Sequence, residues 1–282
     1  MKKLTILILS MIILFGCKRT DSSKVGTETL QDKVINRGTI RAAYTIYYPG
    51  CIKDGNGNLK GVFIETIERA AKDLGLKVEW VEEVGWGTQI AGLDNDKFDM
   101  IGSSVWANPK RAKAATLSIP LYYSQLYVYT RANETKFDKI KSYDELNKED
   151  YVFTLVDGGT GKVIWENMFS KSRSISLPEN TDFGVSFADV TSKKADLIIM
   201  EPYQAEKFLA NNPNSIKKLG LGMPLKVYGN CFMFKKGEFA YKHMLNIVLQ
   251  DLINEGFVDK LLEKYEEYPN SFLRADKPYI LK

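Results

Sequence analysis

The sequence predicts an α/β fold whose sheet is parallel. Strand patterns lie at Gly38–Tyr44, Lys77–Val81 and Phe98–Ile101, and helical patterns fall between them at Glu65–Leu74 and Trp86–Leu93. The first helical pattern places apolar residues on one face and stops at a glycine, which is typical of an amphipathic helix. Because strands and helices alternate along the chain, neighbouring strands are expected to run parallel.

Composition sets limits on function. The 282 residues suffice for one large or two medium domains, and 44% hydrophobic with 26% charged residues is typical of a globular protein. The net charge is only +4, and basic residues are scattered among acidic ones, which argues against a nucleic-acid-binding face. A single histidine, His243, disfavours histidine-based catalysis and histidine metal sites.

The N-terminus has the pattern of an export signal. Lys2 and Lys3 precede an apolar run, Leu4–Phe15, that is too short to span a bilayer comfortably, and Cys17 follows directly after Gly16. This arrangement resembles a bacterial lipoprotein signal, which implies cleavage of residues 1–16 and lipid attachment to Cys17. The alternative is an ordinary secretion signal with an incidental cysteine. The polar segment 17–35 is interpreted as a lipidated terminus and tether.

Two further cysteines, Cys51 and Cys231, remain in the exported chain. Export places them in an oxidising compartment, where a disulfide between them is possible. Two packed free thiols are the other interpretation, and the sequence leaves both open.

The stretch from Asp99 to Ser124 combines groups that suit a small anion. Ser103 and Ser104 are expected to follow a short strand, and Asn108 with Pro109 predicts the cap and first position of a helix. Arg111 then falls in the first helical turn, where backbone N–H groups are unpaired. Hydroxyls, N–H groups and a guanidinium together can receive a carboxylate. A strand, a turn and a surface arginine are the alternative.

A glycine-rich turn, Asp157–Gly161, follows a predicted strand at Tyr151–Val156. It is not a phosphate-binding P-loop, because Val163 follows Lys162 where serine or threonine is required and Val156 stands at the first glycine position. A tight turn between a strand and a helix explains it equally well.

These motifs, in this order, resemble the bacterial extracellular solute-binding proteins of family 3, the amino-acid receptors of ABC importers. The resemblance covers about residues 38–265 and rests on several segments in the correct order. They are Asp99, Ser103–Ser104, Asn108–Arg111, Leu117–Tyr122, Ser142–Leu146, Gly159–Gly161, Lys193–Glu201 and Val227–Gly237.

The resemblance implies a two-lobed, type II periplasmic-binding-protein fold, often compared with a Venus flytrap, whose lobes are joined by two crossing strands. Lobe 1 is expected to comprise residues 36–128 and 231–268. Lobe 2 is expected to comprise residues 129–230, and residues 269–282 are interpreted as an irregular tail.

The resemblance also implies roles for particular residues. The ligand carboxylate would face Arg111, Ser104 and Thr160, with Ser103 beside them, and the ligand ammonium would face Glu201.

Aromatic residues would complete the site. Tyr47 and Trp86 would present ring faces to the ligand, although core packing is an alternative for both. Trp106 replaces a serine or threonine that normally donates to the carboxylate, and its ring could hold a cationic group. Gly161 has lost the family's second hydroxyl in this turn.

The implied protein is an exported, lipid-anchored receptor for a polar amino acid or similar small zwitterion, facing the periplasm or the cell exterior. It would close around its ligand and deliver it to a membrane permease, with ATP hydrolysed by a separate subunit. It is expected to be a monomer without metal, cofactor, nucleic-acid partner or enzymatic activity.

Two other functions remain open. The same fold is used by cyclohexadienyl dehydratase, an enzyme for which Glu201 or Glu65 could supply a general acid. A surface lipoprotein that acts as a sensor or adhesin is the third possibility.

Overall fold

A computed structural model describes residues 28–179 and 181–275. The proposed signal segment and the lipidation site Cys17 lie outside the described residues. Within those residues, no helix combines the length and apolar character needed to cross a bilayer.

The strands form one large mixed sheet and a small hairpin. In chain order they are β1 (Thr39–Tyr44), β2 (Ile52–Lys53), β3 (Leu59–Lys60), β4 (Lys77–Glu83), β5 (Met100–Trp106), β6 (Ala115–Leu117), β7 (Tyr122–Arg131), β8 (Val152–Val156), β9 (Arg173–Leu177), β10 (Leu197–Met200), β11 (Ile216–Lys218), β12 (Lys226–Lys235) and β13 (Phe272–Arg274).

Helices cover the faces of the large sheet. They are α1 (Leu30–Arg37), α2 (Val62–Asp73), α3 (Gln89–Asp94), α4 (Pro109–Ala114), α5 (Thr160–Met168), α6 (Phe183–Thr191), α7 (Pro202–Asn211), α8 (Phe239–Asn254) and α9 (Phe257–Tyr265).

The sheet has two parallel ends joined by antiparallel strands. At one end β1 pairs in parallel with β4 and β5, and at the other end β8 pairs in parallel with β9 and β10. Between them, β12 runs antiparallel to β5 and β7, and β7 runs antiparallel to β10. The predicted α/β class is confirmed, and parallel pairing holds at both ends but not at the centre.

Strands β7 and β12 connect the two lobes. Residues 122–126 of β7 pair with β12, whereas residues 127–129 pair with β10 of the second lobe. The other end of β12 returns to the first lobe and pairs with β5. We call the end with β1, β4 and β5 lobe 1 and the end with β8, β9 and β10 lobe 2.

Each lobe has its own apolar core. In lobe 1, α2, α8 and α9 bury side chains such as Phe63, Leu249 and Leu262 against the sheet. Helix α8 buries Leu245, Leu249 and Leu252 on one face. In lobe 2, two separate clusters contain Phe153 and Phe187.

The two predicted irregular ends contain regular structure. Helix α1 begins inside segment 17–35, because Thr29 and Asp32 form a capping box and Val34 packs into the lobe 1 core. Strand β13 lies inside segment 269–282, and Phe272 pairs with Ser124 of β7. The predicted bounds of the tether and of the tail therefore include residues that belong to a helix and to a strand.

Cys51 and Cys231 are buried free thiols. Burial raises the pKa of each thiol to about 12, which suppresses the reactive thiolate form. The structure thus favours the interpretation as packed thiols over the disulfide.

Candidate ligand-binding site

A cavity lies between the two lobes, with about 760 Å³ of empty space including the open solvent at its mouth. Lobe 1 contributes Tyr47, Trp86, Trp106 and Arg111. Crossing strand β7 and lobe 2 contribute Leu126, Thr154, Leu155, Val156, Gly158, Gly159, Thr160, Gly161, Phe183, Ser186, Ile198, Ile199 and Met200. The cavity therefore includes five of the eight predicted ligand-binding residues.

Arg111 is the positively charged group of the cavity. The Asn108 side chain accepts a hydrogen bond from the Arg111 backbone N–H at 2.9 Å, and Pro109 occupies the first turn, as the sequence predicts. The guanidinium donates to the Trp106 carbonyl at 3.0 Å and lies 5.9 Å from the centre of the Trp86 ring. Burial lowers the pKa of Arg111 to about 10, so the group stays charged at neutral pH.

Arg111 has no acidic partner within the described part of the chain, because it takes part in none of the ion pairs found there. Arginines elsewhere in the protein, such as Arg69 and Arg131, pair with carboxylates. A partly desolvated cation without a counter-ion is unfavourable by itself and favours an anionic ligand.

Four aromatic rings surround the cavity. The Tyr47 ring meets Trp86, Trp106 and Phe183 edge to face, with centroid distances of 5.6, 6.1 and 6.3 Å. Trp106 is held in turn by stacking on Tyr228 at 5.9 Å. Such edge-to-face pairs fix ring orientation. In the closed arrangement these contacts hold the Tyr47 ring between both walls of the cleft.

The two predicted serines do not reach the cavity. Strand β5 continues through both of them to Trp106, so the predicted break after Ile101 is wrong. Ser103 accepts a hydrogen bond from the Thr45 backbone N–H at 2.9 Å, and the Ser104 hydroxyl donates to Asn230. Both hydroxyls are buried and occupied within the protein, so the structure gives them a role in packing.

Glu201 lies behind the cavity wall rather than in it. It ends β10 and precedes Pro202 at the start of α7. Its side chain is 1% exposed and accepts a hydrogen bond from the Tyr47 hydroxyl. Burial raises the pKa of Glu201 to about 7, and its Oε1 atom has no hydrogen-bond partner among the described residues.

The glycine-rich turn forms one wall of the cavity on the lobe 2 side. It links β8 to α5, with Gly159 as the helix cap and Thr160 as the first helical residue. Gly158 adopts a φ of +73°, a left-handed conformation that favours glycine. The expected tight turn between a strand and a helix is present, and Thr160 reaches the cavity.

Among the hydrogen bonds that the described residues form between the lobes, two are donated by loops of lobe 1. One is the bond from the Tyr47 hydroxyl to Glu201, and the other is donated by the Gly87 backbone N–H to the Glu179 carboxylate at 2.9 Å. Both connect a loop of lobe 1 to lobe 2. The structure therefore represents a closed arrangement of the lobes.

Sequence reasoning missed most of the lobe 2 residues that line the cavity, among them Thr154, Phe183 and Ser186. They stand in ordinary strand and helix patterns, and no turn, cap or charge marks them.

Glu65, one of the two proposed general acids, lies outside this lining. Its carboxylate accepts hydrogen bonds from Lys264 at 2.9 Å and from Tyr265, and it holds α2 against α9. In the described ranges no cluster of histidine, cysteine and acidic side chains could hold a metal ion.

Comparisons with known proteins agree with this architecture. The chain is 25% identical to a probable amino-acid ABC transporter-binding protein of Haemophilus influenzae, over 76% of this chain and 79% of that protein. It is 23% identical to the cyclohexadienyl dehydratase of Pseudomonas aeruginosa, over 86% and 87% of the two chains.

Among solved structures, an ancestral amino acid-binding protein, a precursor of cyclohexadienyl dehydratase, superimposes with a TM-score of 0.67. It has 27% identity and covers 84% of this chain and 99% of its own. The family model for bacterial extracellular solute-binding proteins, family 3, matches residues 40–268. This match spans most of the sequence, and the chain therefore belongs to the bacterial extracellular solute-binding proteins of family 3.

Proposed function

We propose that this chain is the solute receptor of an ABC importer and that its ligand is an amino acid or a similar small zwitterion. The observation that supports this most strongly is Arg111, a cation in the cleft with no acidic partner among the described residues. A ligand carboxylate would supply the missing counter-charge through charge-assisted hydrogen bonds. The amino-acid-binding proteins among its relatives favour the same class of ligand.

The other end of the zwitterion is assigned to Glu201. Its Oε1 atom is buried and lacks a hydrogen-bond partner in the described chain, and Tyr47 contacts both Glu201 and the cavity. A ligand ammonium that reached Oε1 would satisfy this atom and favour the ionised carboxylate. Arg111 belongs to lobe 1 and Glu201 to lobe 2, so a ligand held by both stabilises the closed arrangement.

We propose the remaining parts of the system from the family. A membrane permease would recognise the closed form, and ATP would be hydrolysed on a separate subunit. The receptor would act as a monomer, exported and anchored to a bacterial membrane through lipid on Cys17, without catalysing a reaction.

The test is Arg111→Ala in a soluble form of the protein, screened against the twenty amino acids by thermal shift and then by calorimetry. Losing a buried charge partner costs about 2 kcal/mol or more, so the best ligand should bind at least about 30-fold more weakly. Because the free guanidinium is itself unfavourable when desolvated, the ligand-free variant should unfold at the same temperature or higher.

Arg69→Ala is the matched control, because Arg69 lies in the same lobe but pairs with Asp73 on the surface of α2. It should bind like the wild type. Full-strength binding by Arg111→Ala would refute the assignment of the carboxylate site.

A dehydratase is the second candidate, since Glu201 is buried with a pKa raised to about 7 and could therefore donate a proton near neutral pH. The Pseudomonas aeruginosa relative favours this possibility. Incubation of the purified protein with prephenate or arogenate decides the matter. We expect no aromatic product, and product formation that Glu201→Gln abolishes would establish the enzyme.

A sensor or adhesin lipoprotein is the remaining possibility. It predicts that no small ligand shifts the unfolding temperature in the same screen.

A further inference from the structure

We infer that the ligand carries a long, largely apolar side chain that enters lobe 2 and ends in a neutral hydrogen-bonding group at Ser186. The inference rests on the proposed function, because it assumes that Arg111 holds the carboxylate at the lobe 1 side. It narrows the polar side chain predicted from the sequence to one that is polar only at its end.

Apolar groups dominate the lining on the lobe 2 side of the cavity. Leu126, Leu155, Ile198, Ile199 and Met200 come from β7, β8 and β10. Phe183 of α6 adds a ring on the same side. These groups give the lobe 2 side of the cavity a lining that suits an apolar side-chain body.

Charge excludes many amino acids from this cavity. Apart from Arg111, no charged side chain belongs to the lining that the described residues form. A guanidinium, ammonium or carboxylate at the end of the ligand side chain would therefore be desolvated without a partner. Burying such a charge unpaired costs far more than burying a neutral group. The lining thus disfavours arginine, lysine, glutamate and aspartate.

Ser186 of α6 is a polar group on the lobe 2 side of the lining whose hydroxyl is uncommitted. Its residue is 1% exposed, it lines the cavity, and its hydroxyl has no hydrogen-bond partner in the part of the chain that the structure describes. The neighbouring hydroxyl of Thr154 is occupied, because it donates to Asp189 at 3.2 Å. Buried polar atoms are nearly always paired in native proteins, so a hydroxyl that lines a cavity without a protein partner is available to a ligand atom.

A hydroxyl can both donate and accept a hydrogen bond. Ser186 could therefore pair with a phenolic hydroxyl, an indole N–H or a side-chain amide. Among these, a flat aromatic body is the one that can pack on the Tyr47, Trp106 and Phe183 rings that line the cavity. The class of ligand we infer is an aromatic amino acid with a polar ring substituent.

The test compares tyrosine with phenylalanine, which differ by one hydroxyl, and adds arginine, glutamate and alanine as charged and short ligands. Calorimetry on the wild type should show tyrosine as the tighter of the aromatic pair, by about 5-fold for one neutral hydrogen bond. The charged and short ligands should bind more weakly than both.

Ser186→Ala should remove the difference between tyrosine and phenylalanine while leaving the affinity for phenylalanine unchanged. Ser192→Ala is the matched control, because Ser192 directly follows α6 and its hydroxyl is bonded to the Asp189 carbonyl at 3.4 Å. This control should retain the wild-type preference. Comparing two ligands on one variant keeps the result independent of any general loss of stability.

Three outcomes would overturn the inference. If charged or short amino acids bind best in a manner that depends on Arg111, the inference fails while the proposed function stands. The same holds if Ser186→Ala retains the preference for tyrosine. If no amino acid or other zwitterion binds the wild type, the proposed function fails and the inference fails with it.

Discussion

The two walls of the cleft differ in chemistry. Lobe 1 presents Arg111 among the rings of Tyr47, Trp86 and Trp106, whereas lobe 2 presents strand ends, a glycine-rich turn and two hydroxyls, with Glu201 covered by Tyr47. The lobe 1 wall therefore carries the cation proposed to receive the carboxylate, and the lobe 2 wall carries the largely apolar lining proposed to distinguish among side chains. In a receptor with two lobes, affinity and selectivity can thus be altered separately.

The first test of this comparison measures how the buried carboxyl group of lobe 2, Glu201, makes the stability of the protein depend on pH. Burial raises the pKa of Glu201 from 4.5 to about 7, with Tyr47 and Tyr122 as the nearby titratable groups. A raised pKa means that the folded protein prefers the protonated form. The contribution of Glu201 to the free energy of unfolding is therefore fully present below about pH 4.5. It is lost as the pH rises to about 7, because the carboxyl group then ionises more readily in the unfolded chain than in the folded protein.

At 1.36 kcal/mol per pKa unit, this loss is about 3 kcal/mol in the free energy of unfolding. Glu201→Gln, which is neutral at every pH, should remove this part of the pH dependence. Denaturant titrations of both proteins between pH 4.5 and pH 8 make the measurement. Parallel pH profiles for the two proteins would show that Glu201 is not held in its protonated form.

The sequence predicted the lobe 1 wall better than the lobe 2 wall, for a physical reason. Asn108, Pro109 and Arg111 form a local capping motif, so the position of the guanidinium depends on few distant contacts. Phe183 and Ser186 reach the cavity only because α6 packs against β8 and β10, and such packing leaves no local signal. The chain alone could not show that this part of lobe 2 is a wall of the cleft.

Ser103 and Ser104 show the opposite error, because the sequence predicted them to bind the ligand and the structure places them outside the cavity lining. A pair of small hydroxyl residues after an apolar run looks the same whether it faces a ligand or a neighbouring strand. The hydrogen bonds to Thr45 and Asn230, which lie far away in sequence, decide the matter. Glu201 follows the end of β10, and the Tyr47 hydroxyl that covers it could be seen only in three dimensions.

The second and smaller test addresses the contact that joins the two walls at the mouth of the cleft. Glu179 accepts a hydrogen bond from the Gly87 N–H in an exposed position, where one such bond contributes about 1 kcal/mol or less. Glu179→Gln removes the charge and Glu179→Ala removes the bond. We expect the alanine variant to bind ligand about 2- to 5-fold more weakly, chiefly through faster dissociation.

Glu166→Ala is the control for this variant, because Glu166 is an exposed glutamate on α5 of the same lobe. Stopped-flow measurements of ligand dissociation distinguish the two. Equal dissociation rates for Glu179→Ala and Glu166→Ala would show that the contact between Gly87 and Glu179 does not hold the cleft closed.

The most direct test of the central claim is a calorimetric comparison of each amino acid that binds with the amine that lacks only its carboxylate. The wild type should bind the amino acid at least about 30-fold more tightly, since only the amino acid can pair with Arg111. Arg111→Ala should bind both compounds equally weakly. Equal affinity of the wild type for the amine and the amino acid would contradict the account, because Arg111 would then not be the receiver of the carboxylate.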